Sequence, residues 1–311
     1  FVAGAGVGTV AGAGGGWSSA VLVGTVLGGT GALVESWPTR WDDNLILPIA
    51  LAVLLGAGLA VSPAGFAARV PELLERLPAV VAVNVALAAL AWRARHVDRS
   101  GAVAGFFLSA GLGVFGGWGA FLLFVIFFAM GTAATRFGRE IKEARRVAQE
   151  DGGRRSVRHA VANVGVPALL AVIAAGADVP FPFLLAVAGA IATAAFDTVS
   201  SEVGQVVGKR TVLITTLRPV AVGTEGGISL EGTLAGLAAA VIVAGAAVAG
   251  GLVPAPWAAV VVMAAVVGGM FESLLGAWAP TRRAFGNEAL NFLNTAAGAG
   301  LCLVIALVRG S

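Results

Sequence analysis

One cysteine, Cys302, and two histidines, His96 and His159, are too few for a disulfide framework, a cysteine metal site or a His-rich zinc or haem centre. Tyrosine is absent, and charge is scarce: 12% of the 311 residues are Asp, Glu, Lys or Arg, against roughly 25% in soluble domains. No basic stretch followed by a short apolar run and a cleavage site opens the chain, so no signal peptide is expected. The first residue is Phe1, the start expected of a longer chain that has been trimmed. What is present is apolar. Hydrophobic residues make up 58%, with 45 glycines and 12 prolines among them, and mean hydropathy is +0.92. That composition excludes a soluble enzyme, a disordered chain and a disulfide scaffold. It fits an all-α, polytopic transmembrane helix bundle of about ten spans, each of roughly 20 residues, with broken or re-entrant Gly-rich segments.

The spans read at about 17–34, 44–61, 78–92, 101–117, 118–135, 160–177, 180–197, 233–252, 255–279 and 289–308. The connection from Arg136 to His159 holds eight Lys and Arg residues, which places it in the cytoplasm. Alternating from there leaves only Arg69, Arg76 and Arg309, of twenty Lys and Arg residues, on the outer face. Most acids follow the same partition, so the polar chemistry is expected at the cytoplasmic face. Acids interleave with the basic run, which suits it to anionic lipid headgroups rather than to nucleic acid. The absence of tyrosine beside abundant Ala, Gly, Val and Arg is the usage of a GC-rich bacterial genome, so a bacterial cytoplasmic membrane is the expected location.

Four stretches carry candidate chemistry. Phe196-Asp197-Thr198-Val199-Ser200-Ser201-Glu202-Val203-Gly204 ends an apolar span with two carboxylates and three hydroxyls. An ionisable group within a span costs about 2.5–3.5 kcal/mol and is rarely idle. Carboxylates and hydroxyls are hard oxygen ligands suited to Mg²⁺. Asp197 and Ser201 share a helical face, but Asp197 and Glu202 lie roughly 140° apart on a helix. Both reach one ion only if the helix breaks near Ser200. Next, Val222-Gly223-Thr224-Glu225-Gly226-Gly227-Ile228-Ser229-Leu230-Glu231-Gly232-Thr233 is glycine-rich, carries hydroxyls and leads into a helix, which suits a phosphate cradle. It is not a Walker A loop, because no Gly-Lys-Ser/Thr follows. A flexible re-entrant turn is the plainer alternative. Lys209, Arg210 and Arg218 lie between these two stretches as candidate cations.

In the third stretch Glu272 stands between Gly268 and Gly276 at i−4 and i+4, so another backbone can approach and bury the acid in the bundle. In the fourth, Asn287, Asn291 and Asn294 form a polar stripe beside Glu288. The stripe fits substrate binding and interhelical hydrogen bonding equally. Asn84 and Asn163 are single polar residues within spans and read as structural.

The order and spacing of Asp197-Thr198-x-x-Ser201-Glu202-x-Gly204, Gly223-Thr224-x-Gly226-Gly227-x-Ser229-x-x-Gly232-Thr233, Ser273-Leu274-Leu275-Gly276-Ala277 and Asn287-Glu288-x-x-Asn291 resemble the motifs of the membrane family known as uncharacterised domain 92. It includes transmembrane protein 19 and phytyl-phosphate-kinase-like enzymes. The resemblance runs from about Asn84 to Arg309, giving a membrane domain over 78–309. One departure is Glu272, where the family pattern has Asp. Residues 17–60 are similar, through Glu35 and Asp43-Asn44-Leu45, to the last two spans of dolichol- and phytol-kinase-like enzymes, so 1–62 is expected to be a remnant of that module.

The resemblance implies phosphoryl transfer from a nucleoside triphosphate, with CTP the candidate donor, to an isoprenoid monophosphate. Asp197, Glu202, Glu272 and Glu288 would hold Mg²⁺, with Asp197, Glu202, Lys209 and Arg218 catalytic. Ser201, Gly223, Thr224, Gly226, Gly227, Ser229, Asn287 and Asn291 would bind phosphate or substrate, and an apolar groove would hold the prenyl chain among membrane lipids. Two other classes use similar residues: a prenyl-phosphate transporter or flippase, and a CTP-dependent cytidylyltransferase-type enzyme.

Overall fold

A computed structural model describes residues 61–278 and 286–310. The expected spans at 17–34 and 44–61, and nearly all of the 1–62 remnant, lie outside the described residues. Each of the other eight expected spans corresponds to one helix. These are α1 (Pro63–Arg93), α2 (Arg99–Phe115), α3 (Gly117–Arg136), α5 (Val157–Gly176), α6 (Phe181–Val207), α7 (Leu230–Ala249), α8 (Ala258–Ala277) and α9 (Asn287–Arg309). A short helix, α4 (Arg139–Ala144), lies within the basic connection. Seven of the helices, with the turn at Ala255–Trp257 extending α8, are long and apolar enough to cross a bilayer; α2 is shorter, at 17 residues. The strands among the described residues are β1 (Val212–Leu213) and β2 (Gly227–Ile228), paired antiparallel.

The chain divides into two compact units. In the first, among the described residues, the start of α1 meets Gly176–Asp178: Ser62 donates its N–H to the Gly176 carbonyl at 2.8 Å, and Arg69 Nη1 reaches the Ala177 carbonyl at 2.8 Å. The second unit holds everything else, and α6 is its axis. Every residue from Leu185 to Phe196 is buried. A helix apolar on all sides has to be covered on all sides. The run Leu-Ala-Val-Ala-Gly-Ala-Ile-Ala-Thr-Ala-Ala-Phe permits this, because small residues let neighbouring backbones approach where lipid supplies no hydrophobic drive. Helices α3, α7, α8 and α9 all pack on α6.

The closest approach is to α7. A Cβ placed on Gly236 would lie 2.7 Å from the Phe196 carbonyl oxygen, and one on Gly232 2.5 Å from that of Ser200. Ser229 opens α7 as its N-cap, its Oγ accepting the Gly232 N–H at 3.2 Å. Asp98 caps α2 in the same way, accepting from the Gly101 N–H at 2.7 Å, and that bond holds its carboxyl below the ordinary range. Asn84 and Asn163, the single polar residues expected to be structural, each donate to a carbonyl four residues back. Asn84 Nδ2 donates to the Val80 carbonyl at 3.0 Å while its Oδ1 accepts from the Ser109 hydroxyl, and Asn163 Nδ2 donates to the His159 carbonyl at 3.0 Å.

The outlying cations sit at one end of the bundle, as the partition required: Arg76 reaches the Val114 carbonyl near the α2–α3 link, and Arg309 lies over the Trp257 ring, 5.3 Å from its centroid, near the α7–α8 link. The basic connection and the segment 208–229 meet at the other end, where Val147 stands against Gly223 and Arg145 Nη1 reaches the Gln205 carbonyl at 2.6 Å.

Gly236→Val is expected to destabilise the protein by about 1–3 kcal/mol, the usual cost of forcing atoms into a packed crossing. Gly245→Val, where a Cβ meets nothing within 4 Å, should change little. Thermal unfolding in detergent compares them; equal melting temperatures would refute the α6–α7 crossing.

Candidate functional site

A cavity of about 320 Å³ opens at the end of the bundle where the basic connection lies. Four separated segments build it. The last turns of α6 supply Asp197, Ser200, Ser201 and Glu202; the glycine turn after β1 supplies Gly223 to Gly227; the end of α8 supplies Glu272 and Ser273; and the first turns of α9 supply Asn287 and Asn291. Ser229 and Thr233, at the start of α7, complete it.

The turn is held by its own hydrogen bonds. Thr224 donates its N–H to the Ala221 carbonyl at 3.2 Å and its Oγ1 proton to the same oxygen at 2.7 Å; Gly227 N–H donates to the Thr224 carbonyl at 2.9 Å. Gly226 has φ +74°, and a Cβ there would lie 2.5 Å from the Ala277 nitrogen, so both conformation and space demand glycine. This seats the turn on the end of α8, beside Gly276, and brings the Gly223–Gly227 segment to the same cavity as Glu272. The Ser229 hydroxyl is engaged as the α7 cap, so its first role is to start that helix.

The two carboxylates of α6 have different surroundings. The helix runs unbroken from Phe181 to Val207, so the break at Ser200 that would bring Asp197 and Glu202 onto one ion does not occur. Glu202, 3% exposed, pairs with Lys142 of α4, itself 1% exposed. Lys142 Nζ also donates to the carbonyls of Ala134 and Thr135, at 2.9 Å each. The other Glu202 oxygen accepts from Thr135 Oγ1 at 3.2 Å and from Gln149 Nε2. Arg155, over the Phe127 ring at 5.3 Å from its centroid, adds a second positive charge. Burial lowers its guanidinium to about 10 and Glu202 raises it against that, so it stays a cation at neutral pH. Both oxygens of Glu202 are thus engaged, by donors from α3 and the basic connection.

Asp197 has the Asn294 carboxamide beside it and no oppositely charged partner among the described residues. Its neighbours include Glu272, which in turn feels the charges of both Asp197 and Glu225. No Lys, Arg or His lines the cavity among the described residues. Four acids, Asp197, Glu202, Glu225 and Glu272, line this one space. No three His, Cys, Asp or Glu side chains among the described residues converge closely enough to hold a metal by themselves. Such a site matches Mg²⁺ bound through one or two carboxylates, with phosphate oxygens and water filling its coordination shell.

Three expected site residues do not line the cavity. Lys209 is exposed just beyond α6, its backbone N–H directed at Glu231. Arg218 is exposed beyond β1 on the far arm of the hairpin, its N–H directed at Thr216 Oγ1. Glu288 follows Asn287 on α9 but faces His159 rather than the cavity. Conversely, Glu225, Gln149 and Lys142 gain roles that the sequence did not announce. A lysine within a run of basic residues reads as solvated, and nothing local shows that its partner lies 60 residues away.

Replacing one member of a buried ion pair typically costs about 3–5 kcal/mol, because the other charge is stranded. Glu202→Gln and Lys142→Met should each lower the detergent melting temperature strongly, and the double variant should lose less than the two singles together. Additive losses would show that the two side chains do not pair.

Sequence comparisons agree with this architecture. The profile described as "Integral membrane protein DUF92" matches residues 82–299. An uncharacterised membrane protein of Synechocystis, sll0875, is 35% identical over 192 residues, covering 61% of this chain and 74% of that protein. Protein VTE6, chloroplastic, of Arabidopsis thaliana is 35% identical over 277 residues, 87% of this chain and 72% of the relative. An uncharacterised membrane protein of Methanocaldococcus jannaschii, MJ0933, is 30% identical over 230 residues and 93% of its own length. No solved structure matches. With more than two thirds of its length matched by that profile, the chain belongs to the DUF92 family of integral membrane proteins.

Proposed function

We propose that this protein is a membrane-embedded phosphotransferase that moves a phosphoryl group from a nucleoside triphosphate, with CTP the candidate donor, to an isoprenoid monophosphate, giving the diphosphate. The observation that carries the reading is the cavity itself: four carboxylates, hydroxyls, carboxamides and a glycine turn meet at the end of the bundle. Family membership and the resemblance to phytyl-phosphate-kinase-like enzymes point to the same chemistry.

Joining two phosphates is mainly a problem of positioning and charge, since the acceptor phosphate already carries a nucleophilic oxygen. No strong base is required. Asp197 and Glu272 would hold Mg²⁺, with Glu225 beside them. When bound, Mg²⁺ would neutralise phosphate oxygens and so lower the repulsion between donor and acceptor. Gly223 and Gly226 offer backbone N–H groups of the turn to a phosphate, while the Ala221 carbonyl holds both donors of Thr224. The Asn287 and Asn291 amides and the Thr233 hydroxyl offer neutral donors that orient phosphate oxygens without adding charge; the Ser201 hydroxyl donates to the Asp197 carbonyl at 2.6 Å. Lys142 acts through Glu202, fixing the last turn of α6 so that Asp197 keeps its aim. The prenyl chain would extend from this end of the bundle into the apolar helices, and the basic connection would place the cavity at the cytoplasmic face.

Purified protein given Mg²⁺, a nucleoside triphosphate and phytyl or geranylgeranyl phosphate should yield the prenyl diphosphate and nucleoside diphosphate. Asp197→Asn and Glu272→Gln should each lower kcat by about 10²-fold or more, the scale seen when one transition-state electrostatic contact is removed. Pyrophosphate as the product would show nucleotidyl transfer instead. Prenyl-phosphate flux across liposomes with no turnover would show a transporter. Either result overturns the proposal.

A further inference from the structure

A second cavity, about 470 Å³, lies between α1, α2 and α3. It shares no lining residue with the carboxylate cavity, and α3 stands between the two. Thr135 of that helix turns to Glu202, while Thr132 and Arg136 line the second chamber. The chamber is apolar, with Leu87, Phe106, Phe124 and Phe128 among its walls.

Its mouth is polar. His96 stands there edge-on to Phe128, with Nδ1 buried and lacking a hydrogen-bond partner. Arg136 lines the chamber and also an adjoining basin of about 400 Å³, whose other charged walls are Arg95, Arg139 and Arg154. These four arginines come from the α1–α2 link, the end of α3, the start of α4 and the loop before α5. Like charges gathered from four elements repel one another unless an anion lies among them. One described carboxylate, Glu143, pairs with one of them, Arg139, at 2.7 Å. Asp98, in the neighbouring basin, accepts from the Gly101 N–H and the Ser100 hydroxyl and meets the charge of Arg154, which leaves Arg95 and Arg136 to face the basin.

A chamber for hydrocarbon and a basin for an anion, joined at Arg136, describe an amphiphile. We propose that this is a binding site for an anionic membrane phospholipid, one acyl chain in the chamber and the phosphate among Arg95, Arg136 and Arg139. The basin offers guanidinium groups but no glycine turn and no free carboxylate among the described residues. It therefore holds a phosphate without the means to transfer one, which separates it from the prenyl-phosphate cavity. Trp92 is exposed at the end of α1, and indole side chains favour the headgroup level of a bilayer.

Native mass spectrometry of the detergent-purified full chain, titrated with phosphatidylglycerol or phosphatidylcholine of identical chains, tests this. Phosphatidylglycerol should bind at least about ten-fold more tightly, and Arg95→Gln/Arg136→Gln should remove that preference. Gly105 lines the chamber and a Cβ there meets nothing within 4 Å, so Gly105→Leu should fill it and weaken both lipids without unfolding the protein. Equal binding of the two lipids by the unaltered protein would overturn the proposal, and so would binding that ignores both variants. Displacement of phosphatidylglycerol by geranylgeranyl phosphate at equal concentration, with a raised KM in the arginine variant, would make this the acceptor's site and overturn it as well.

Discussion

Asp197 and Glu202 lie on one unbroken helix, five residues and roughly 140° apart, and the organisation of the cavity follows from that separation. A carboxylate among helices needs either a cation or a proton. Glu202 meets Lys142, with Arg155 nearby, and its two oxygens are occupied by donors from α3 and the basic connection. Asp197 faces the other way, into the cavity it shares with Glu272 and Glu225, which no Lys, Arg or His among the described residues lines. One acid thus anchors the connection to the bundle while the other remains available for a ligand. The difference arises from helical geometry, because the two carboxylates project from different sides of α6.

The glycines make this arrangement reachable. Helix α6 is buried along twelve consecutive residues because its neighbours come close enough to exclude lipid, and at Gly232 and Gly236 the approach leaves no room for a methyl group. The same economy of volume seats the Gly226 turn against Ala277. A segment that looks like a flexible link in one dimension becomes a fixed wall of the cavity. Its hairpin register, Val212 with Ile228 and Leu213 with Gly227, sets where Gly223 and Thr224 stand.

Much of this was legible in the sequence. Long apolar runs separated by charged links gave every described helix that crosses the bundle, and the distribution of Arg and Lys placed Arg76 and Arg309 at the opposite end from the basic connection. Asp197, Gly223, Glu272 and Asn291, singled out in the sequence as polar groups inside apolar helices or glycines beside them, do line one cavity. Lys209 and Arg218 misled because adjacency in sequence was read as adjacency in space; the chain turns outward at both. Lys142 and Arg155 went unrecognised because a cation in a basic run gives no local sign that it is buried. The unbroken α6 could not be read from a segment rich in Ser, Thr and Gly, whose local preference is for ends and turns. Packing against α7 overrides that preference.

Binding of Mn²⁺ in place of Mg²⁺, followed by electron paramagnetic resonance with a non-hydrolysable nucleoside triphosphate present, separates the two acids directly. The account predicts one bound ion whose signal depends on Asp197 and Glu272 and survives Glu202→Gln in protein that remains folded. An ion lost on Glu202→Gln but retained after Asp197→Asn would contradict it.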